Sequence, residues 1–400
     1  MTWSGNRLSA ALSTRPDRQA RARHRIGIPK LLNIWSTHQF WIGFFEALGI
    51  PANRIVFSSD TSDNQMRAYG AARSTVDCCY PVKCGSGHYG ELLFGQKRKI
   101  DVLFSPMINN VPSFLDGQVA NSLTCPRVMA APENIKAGFI KERDLFAEAG
   151  VRYVSPLVSL GAPRLVPKQM HAALKDVFEG LTWAETREAV EAGYRTLAAF
   201  DEAMRARSRQ VLEWCARNDR TCILVLARPY HMDPGIGHEI EADLQVFGYP
   251  ILWGQYLPLD EGLLDAVFGD DVREGVIRSA FDISDVWPSS FSANTNEVIW
   301  AAKFAARVPW IGCVIRLVSY ECGMDQPTLT PVQEIVERSG TLFFSFQELD
   351  STKPAGSVKI RTETIAHYLA ETAEQHLRNK LTWDGARLQL ERLTRSDPSP

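Results

Sequence analysis

Cysteine is the residue type whose placement in this 400-residue chain points most directly to chemistry. Thiolates are the ligands that soft metal ions and iron–sulfur clusters select. Five of the eight cysteines lie near a proline or glycine at an end of an apolar run: Cys78, Cys79, Cys84, Cys125 and Cys322. Their spacings match neither the paired C-x-x-C of zinc sites nor the C-x-x-C-x-x-C run of ferredoxins. A metal site would therefore have to be assembled from distant segments.

Burial is the alternative fate of these thiols, because an unpaired cysteine often serves as a small core residue. We favour burial for three cysteines embedded in apolar helix or strand patterns: Cys215, Cys222 and Cys313. For Cys79, Cys125 and Cys322, spacing alone leaves metal ligation and burial open. Cys322 follows the apolar run VIRLVSY, and ligand sites of doubly wound sheets form at the carboxyl ends of strands. Its position is the one expected of a ligand.

Three glycines in DCCYPVKCGSGHYG (77–90) match the dinucleotide fingerprint G-x-G-x-x-G: Gly85, Gly87 and Gly90. A true fingerprint follows a strand and has an acidic residue about 20 residues further on, at the end of the next strand. Pro81 interrupts any preceding strand, and Asp101 opens a strand instead of ending one. We therefore expect these glycines to let the backbone pass close to something bulky. No P-loop is present either, so hydrolysis of ATP would need another chain.

A third reactive stretch is ARPYHMDPGIGHEI (227–240), which directly follows the apolar strand pattern TCILVLA. Arg228, Tyr230 and His231 precede a predicted helix there, which is the position for substrate or anion contacts. Alternatively, Arg228 pairs with Asp233 across a proline-rich turn and His231 caps that turn. The sequence leaves both interpretations open.

Short apolar runs that alternate with helical patterns must position these side chains. Predicted strands lie at 25–28, 54–59, 99–106, 126–132, 151–156, 221–229, 249–254, 310–323 and 341–346. This alternation predicts an α/β fold with parallel sheets, as two doubly wound, flavodoxin-like or Rossmann-like lobes joined by a long helical connector. Thr182 and Glu185 form a capping box at the start of the connector's main helix.

The predicted division has a basic disordered tail at 1–25, an N-terminal lobe at 26–165 and a connector at 166–218. A C-terminal lobe follows at 219–380 and a second tail at 381–400. Hydrophobic content of 45% with a net charge of −2 is typical of a soluble protein and gives no sign of a nucleic-acid partner. No apolar run is long enough for a membrane span, and the arginine-rich start lacks the apolar core of a secretory signal. We therefore expect a cytoplasmic protein.

Four motifs together resemble the family of proteins related to 2-hydroxyacyl-CoA dehydratase and its activase. They are C-Y-P-V-K-x-x-x-G-H from Cys79 to His88, C-P at Cys125, R-P-Y-H-x-D-P from Arg228, and S-Y-x-C-G-x-D from Ser319 to Asp325. The similarity extends from about Ile26 to Leu369. The chain departs from the usual pattern in the doubled thiol at Cys78 and in the carboxylate of Glu321.

The resemblance implies an iron–sulfur cluster, of the 4Fe-4S type or a derived larger one, on cysteines from separate segments. Carried over by motif, the ligands are Cys79, Cys125 and Cys322, with Cys78 and Cys84 as additional candidates. Three thiolates on a cubane cluster leave one iron without a protein ligand and open to substrate. Substrate or cluster-edge contacts, in catalytic roles, would come from Lys83, His88, Arg228, Tyr230 and His231.

The resemblance also implies partners. Relatives work with an ATP-hydrolysing activator of the actin/sugar-kinase class, which injects low-potential electrons into an acyl-CoA reaction, and dimers are expected. Two hypotheses follow. The chain is an iron–sulfur component of a reductive or radical dehydration, or it is a non-catalytic module that docks on the activator. A nicotinamide dehydrogenase is a third hypothesis, which would require tight NAD binding.

Overall fold

The computed structural model describes residues 16–71, 73, 78–287, 290–320, 322–349 and 355–379, and it divides them into two compact units. Unit 1 contains the described residues up to Pro112 together with Thr124–Phe200. Unit 2 contains Ser113–Leu123 and the described residues from Asp201 onwards. The predicted tail at 381–400 and residues 1–15 of the predicted N-terminal tail lie outside the described residues. The predicted lobe boundaries stay a prediction.

Parallel strands form the sheets of unit 1. They are β1 (Ile26–Ile28), β2 (Ile55–Phe57), β3 (Val102–Phe104), β4 (Met107–Asn110), β5 (Arg152–Val154) and β6 (Leu157–Ser159). Four pair in the order β2-β1-β3-β5, and β4 pairs with β6. The chain passes from β1 to β2 in one direction and from β3 to β5 in the other. The carboxyl ends of β1 and β3 therefore lie where the strand order reverses, the usual ligand position in such sheets.

Helices surround the unit 1 sheet. They are α1 (Pro16–Arg21), α2 (Ile34–Ala47), α3 (Asp63–Gln65), α4 (Tyr80–Lys83), α5 (Gly85–Gly90), α6 (Pro126–Ile140), α7 (Leu145–Ala149), α8 (Val166–Leu174) and α9 (Trp183–Asn218). Helix α2 places Phe40, Trp41, Phe44 and Phe45 in the core, where Trp41 and Phe45 meet Phe104 of β3 edge to face. This aromatic cluster anchors α2 to the sheet.

Helix α9 confirms the long helix predicted for the connector and continues from unit 1 into unit 2. Its capping box forms as predicted, since Thr182 Oγ1 accepts from the Glu185 backbone at 3.2 Å and the Thr182 backbone donates to Glu185 Oε2 at 3.0 Å. Arg21 of α1 also contacts Glu185, at 2.7 Å. Burial alone would raise the pKa of Glu185, but the bonds from Arg21 and Thr182 lower it to about 2. Helix α1 lies in the stretch that the sequence placed in a disordered tail.

One predicted strand is wrong. Residues 126–132 begin helix α6 instead of forming a strand. Pro126 is the cause, because proline at the first helical position has the right backbone angle and lacks a donor that would be unsatisfied there. Pro132 is accommodated inside the same helix.

Unit 2 has one four-stranded parallel sheet, built from β7 (Cys222–Leu226), β8 (Ile251–Trp253), β9 (Ile311–Ser319) and β10 (Leu342–Leu349). The order is β10-β9-β7-β8, so the reversal point lies between β7 and β9. Its helices after α9 are α10 (Pro234–Gly237), α11 (Ile240–Val246), α12 (Glu261–Arg273), α13 (Ala293–Arg307), α14 (Leu329–Arg338) and α15 (Ala355–Asn379). The prediction of an α/β fold with parallel sheets is confirmed.

Two apolar elements dominate the core of unit 2. All nine residues of β9 are buried, and α13 buries Trp300 and Phe304 against the sheet. Cys215, Cys222 and Cys313 are fully buried in this unit, as the sequence indicated. Within the described residues, no helix is both long and apolar enough to cross a membrane.

Candidate functional site

Cys79 and Cys125 occupy equivalent local positions in unit 1. Each is the residue before a helix, Cys79 before α4 and Cys125 before α6, and each helix has proline in its first turn. The backbone of Cys125 is extended. The residue before a proline is sterically restricted to this extended conformation, which holds for Cys125 before Pro126. Neither thiol caps its helix, and α4 packs against α6. The local sequence thus presents two sulfur atoms at the starts of two helices in contact.

The surroundings of Cys79 favour its neutral thiol. The residue is 8% exposed, and burial raises the pKa of the Cys79 thiol above its usual value. Cys125 and Cys78 also raise this pKa through charge repulsion, whereas Arg127 and a backbone bond from Val82 lower it. Cys125 and Arg127 therefore lie close enough to Cys79 to influence its charge. A metal ion would have to displace the proton of this thiol.

The other predicted residues of the first stretch differ in exposure. Cys78 and Cys84 are buried, and Cys84 lies at the junction of α4 and α5. Lys83, at the end of α4, is exposed. Asp77, which precedes this group, lies outside the described residues. The Lys83 side chain is thus exposed to solvent, whereas the thiols of Cys78 and Cys84 are shielded from it.

His88 is fully buried in a cage of polar side chains. Its Nδ1 lies 2.8 Å from Ser58 Oγ, and its Nε2 lies 2.9 Å from Thr61 Oγ1. Burial lowers the pKa of His88 to about 3, so the ring is neutral at physiological pH. Both ring nitrogens of His88 therefore have hydrogen-bond partners inside the protein. Through these two bonds, the neutral ring fixes the loop that follows β2.

The three glycines of the fingerprint lie inside helix α5, which follows helix α4 and not a strand. A side chain at Gly90 would overlap the backbone carbonyl of Tyr69, and one at Gly85 would overlap Ile135. The glycines therefore allow α5 to pack closely against the short π-helix at Met66–Gly70 and against α6. The bulky neighbour that the sequence predicted is the polypeptide itself.

In unit 2, a buried charge network lies at the carboxyl ends of β7 and β9. Arg228 donates from Nε and Nη2 to the two oxygens of Asp325, both at 3.0 Å. Arg316 Nη2 lies 2.9 Å from the same carboxylate. All three side chains are at most 1% exposed. Burial opposes ionisation of Asp325, but the two guanidinium groups hold its pKa far below the usual value.

Cys322 and His231 border this charge network. The Cys322 thiol donates to Asp325 Oδ2 at 3.3 Å, and burial together with Asp325 raises the pKa of Cys322 to about 11. His231 Nε2 lies 3.0 Å from Ser319 Oγ, and burial lowers the pKa of His231 to about 3. Tyr230 is buried beside His231, with ring centroids 4.9 Å apart. Unit 2 thus brings together four predicted residues: Arg228, Tyr230, His231 and Cys322.

Sequence reasoning assigned no role to three members of this network: Arg316, Ser319 and Asp325. Arg316 had a signal, since it is a charged residue in the middle of the apolar run WIGCVIRLVS. The partner predicted for Arg228 in the alternative interpretation was Asp233. Asp233 instead accepts from the Gly235 backbone at 2.9 Å, and Arg228 pairs with Asp325.

The thiols fit an iron–sulfur cluster in donor type but are not gathered into a site. Within the part of the chain that is described, no group of three or more His, Cys, Asp and Glu side chains is arranged to hold a metal ion. The geometry therefore supports no reaction step through a cluster. Glu321, beside Cys322, lies outside the described residues.

The fold and these sites define a parallel α/β protein with cysteines, arginines and histidines at strand ends and helix starts. More than half of the chain, residues 25–257, matches the family described as the CoA enzyme activase uncharacterised domain. The chain belongs to this family, which confirms the resemblance drawn from the motifs. Membership relates it to the acyl-CoA dehydratase system and indicates association with an activator. No curated protein matches the chain.

Proposed function

We propose that the protein is an iron–sulfur component of the 2-hydroxyacyl-CoA dehydratase and activase-related group. It carries low-potential electrons to or within a reductive or radical dehydration of an acyl-CoA, driven by a separate ATPase activator of the actin/sugar-kinase class. The observation that carries the proposal is the matched placement of Cys79 and Cys125 at the starts of two helices in contact. Family membership supports the acyl-CoA context.

In this proposal, Cys79 and Cys125 supply thiolate ligands, and the family resemblance adds Cys322 as a third. A bound cluster would supply one-electron transfer at low potential. Cys125 is the residue before α6, whose N-terminus carries the positive end of the helix dipole. Arg127 lowers the pKa of Cys79 and so favours the thiolate needed for ligation. Burial of Cys79 and Cys322 limits access of water and oxygen to the sulfurs.

A specific observation also favours the second hypothesis, a non-catalytic module that docks on the activator. Arg228 and His231 were expected to contact substrate, but their polar groups bond to Asp325 and Ser319. Both side chains are at most 3% exposed. If these residues serve the fold alone, unit 2 has a scaffolding role and any cluster is structural or absent.

Iron and sulfide analysis of anaerobically purified protein tests the proposal. We expect a brown protein with about four irons per chain. Cys125→Ser should lose most of the iron, and it should still fold, because serine is a preferred residue before a helix. Cys215→Ala is the matched control, since Cys215 lies in the core of unit 2 and should not affect iron content.

The two hypotheses give different results. A colourless, iron-free anaerobic preparation would exclude the electron-carrying role. If such a preparation still forms a stable complex with a co-expressed ATPase activator, the docking module is supported. Iron that is retained equally in Cys125→Ser and Cys215→Ala would contradict the ligand assignment.

A further inference from the structure

The loop between β1 and α2 places unsatisfied hydrogen-bond donors at the reversal point of the unit 1 sheet. Asn33, the residue before α2, is 5% exposed, and its side chain does not cap the helix. Its Nδ2 is buried and has no hydrogen-bond partner among the described residues. The same is true of Trp35 Nε1, in the first turn of α2. Buried donors of this kind are rare, because each costs free energy unless a partner satisfies it.

The charges at this place favour an anion. The N-terminus of α2 carries the positive end of the helix dipole, and its first turn contains no acidic residue. The backbone N–H groups of Ile34 and Trp35 already donate to Leu31 and Leu32, at 3.0 and 3.1 Å. The side-chain donors and the dipole, and not these backbone groups, are therefore available to a ligand.

Lys30 adds a positive charge over the ring of Trp35. Its ammonium lies 4.0 Å from the centre of the Trp35 ring and 2.7 Å from Asp60 Oδ1. The side chains of Lys30 and Asp60 are 30% and 49% exposed. An exposed ion pair of this kind contributes little stability, so Lys30 can exchange Asp60 for a ligand at small cost.

We propose that Lys30, Asn33 and Trp35 at the N-terminus of α2 form a binding site for a phosphate group. Every unsatisfied group here is a donor, which selects an acceptor-only ligand, and a phosphate oxygen accepts several such bonds. The phosphate is either inorganic or carried by a nucleotide, including the adenosine diphosphate portion of coenzyme A. The site does not depend on iron and adds a phosphate-binding role to the function proposed above.

Binding of inorganic phosphate, ADP and coenzyme A to the full chain, measured by calorimetry in phosphate-free buffer, tests the site. Asn33→Asp exchanges the donor amide for a carboxylate of the same size, and we expect affinity to fall about tenfold or more. The melting temperature of Asn33→Asp is measured beside its affinity, because a carboxylate buried at this position costs stability unless it is paired. Trp35→Phe removes the N–H donor but keeps an aromatic ring, and it should weaken binding in the same direction.

Lys97→Gln is the matched control, because it removes an exposed lysine of unit 1 that lies far from this loop in sequence. Lys30→Gln should weaken binding, whereas Lys97→Gln should not. Tighter binding of ADP and coenzyme A than of phosphate assigns a nucleotide as the source, and equal affinities assign free phosphate. The site is refuted if none of the three binds at millimolar concentration, or if Asn33→Asp binds them as tightly as the parent.

Discussion

At the scale of single residues, the network around Asp325 contains two positive side chains and one negative side chain. Arg228 and Arg316 share one carboxylate, and all three side chains are almost fully buried. The neighbouring Cys322 is a neutral thiol and His231 a neutral ring at physiological pH, because burial shifts the pKa values of both against ionisation. Arg316 Nη1 also donates to the backbone of Leu226 at 3.0 Å, which ties β9 to β7. Asp325 is therefore the only anion that balances two buried cations among these groups.

Replacing Asp325 should thus destabilise the protein more than replacing one of its cations. Asp325→Asn leaves two buried guanidinium groups without a carboxylate, and we expect a loss of about 3–5 kcal/mol. Arg316→Met leaves the neutral Arg228–Asp325 pair intact and should cost less. Urea unfolding followed by circular dichroism measures both. If both variants lose the same free energy of unfolding, charge balance does not determine the stability of this network.

At the scale of helices and strands, sequence patterns predicted most elements but not those that depend on close packing. Apolar runs located β1, β7 and β9, and the Thr182–Glu185 capping box located the start of α9, because these signals are local. Residues 126–132 were predicted as a strand since their apolar composition suits either element, and Pro126 as a helix-starting residue decided the outcome. The strands β4 and β6 were missed because each is very short and begins directly after the end of a predicted strand.

The candidate sites were predictable in part for the same reason. Cys322, Arg228 and His231 were placed correctly at strand ends, since the order of strands and loops follows from the sequence. The pairing of Arg228 with Asp325 was not predictable, because it joins residues 97 positions apart in the chain. Asn33 could not be singled out at all, since an unsatisfied amide is visible only when its neighbours are placed.

The glycines of α5 give a prediction at this scale. Gly90→Ala should destabilise the protein by about 1–3 kcal/mol, because the added methyl group overlaps the backbone of Tyr69 and overpacks the contact. Gly356→Ala is the control, since it also lies in a helix but has open space around it, and it should be neutral or slightly stabilising. Chemical denaturation of both variants checks this. A Gly90→Ala variant as stable as the parent would exclude the packing role of that glycine.

At the scale of the whole molecule, the two units follow one topological plan. In each, the first strand is central, the second pairs on one side of it and the third on the other, as β2-β1-β3 and β8-β7-β9. Each also places polar side chains directly after its first strand, Lys30 and Asn33 in unit 1 and Arg228 and His231 in unit 2. The plan explains why both units carry a candidate site at the same topological place.

Buried ionisable groups also determine how stability depends on pH. His88 and His231 have pKa values near 3 in the fold, below the ordinary value of 6.5. Because the unfolded chain binds more protons between pH 3 and 6.5, these histidines make stability fall as the solution is acidified. Glu297 acts in the opposite sense. Burial raises its pKa from 4.5 to about 7, although a bond from Ser113 Oγ at 2.8 Å lowers it in part.

The raised pKa of Glu297 therefore predicts a loss of stability as pH rises from about 4.5 to 7. Between pH 4.5 and 7 the folded protein retains a proton on Glu297 that the unfolded chain has released, so stability decreases as pH rises through this window. Glu297→Gln cannot ionise and should melt a few degrees higher than the parent at pH 8 but not at pH 4.5, at about 2–4 °C per kcal/mol for a unit of this size. Glu274→Gln, an exposed residue of the same unit, should follow the parent at both pH values. Scanning calorimetry across this range measures the difference, and a Glu297→Gln curve parallel to that of the parent would show that this carboxyl titrates normally.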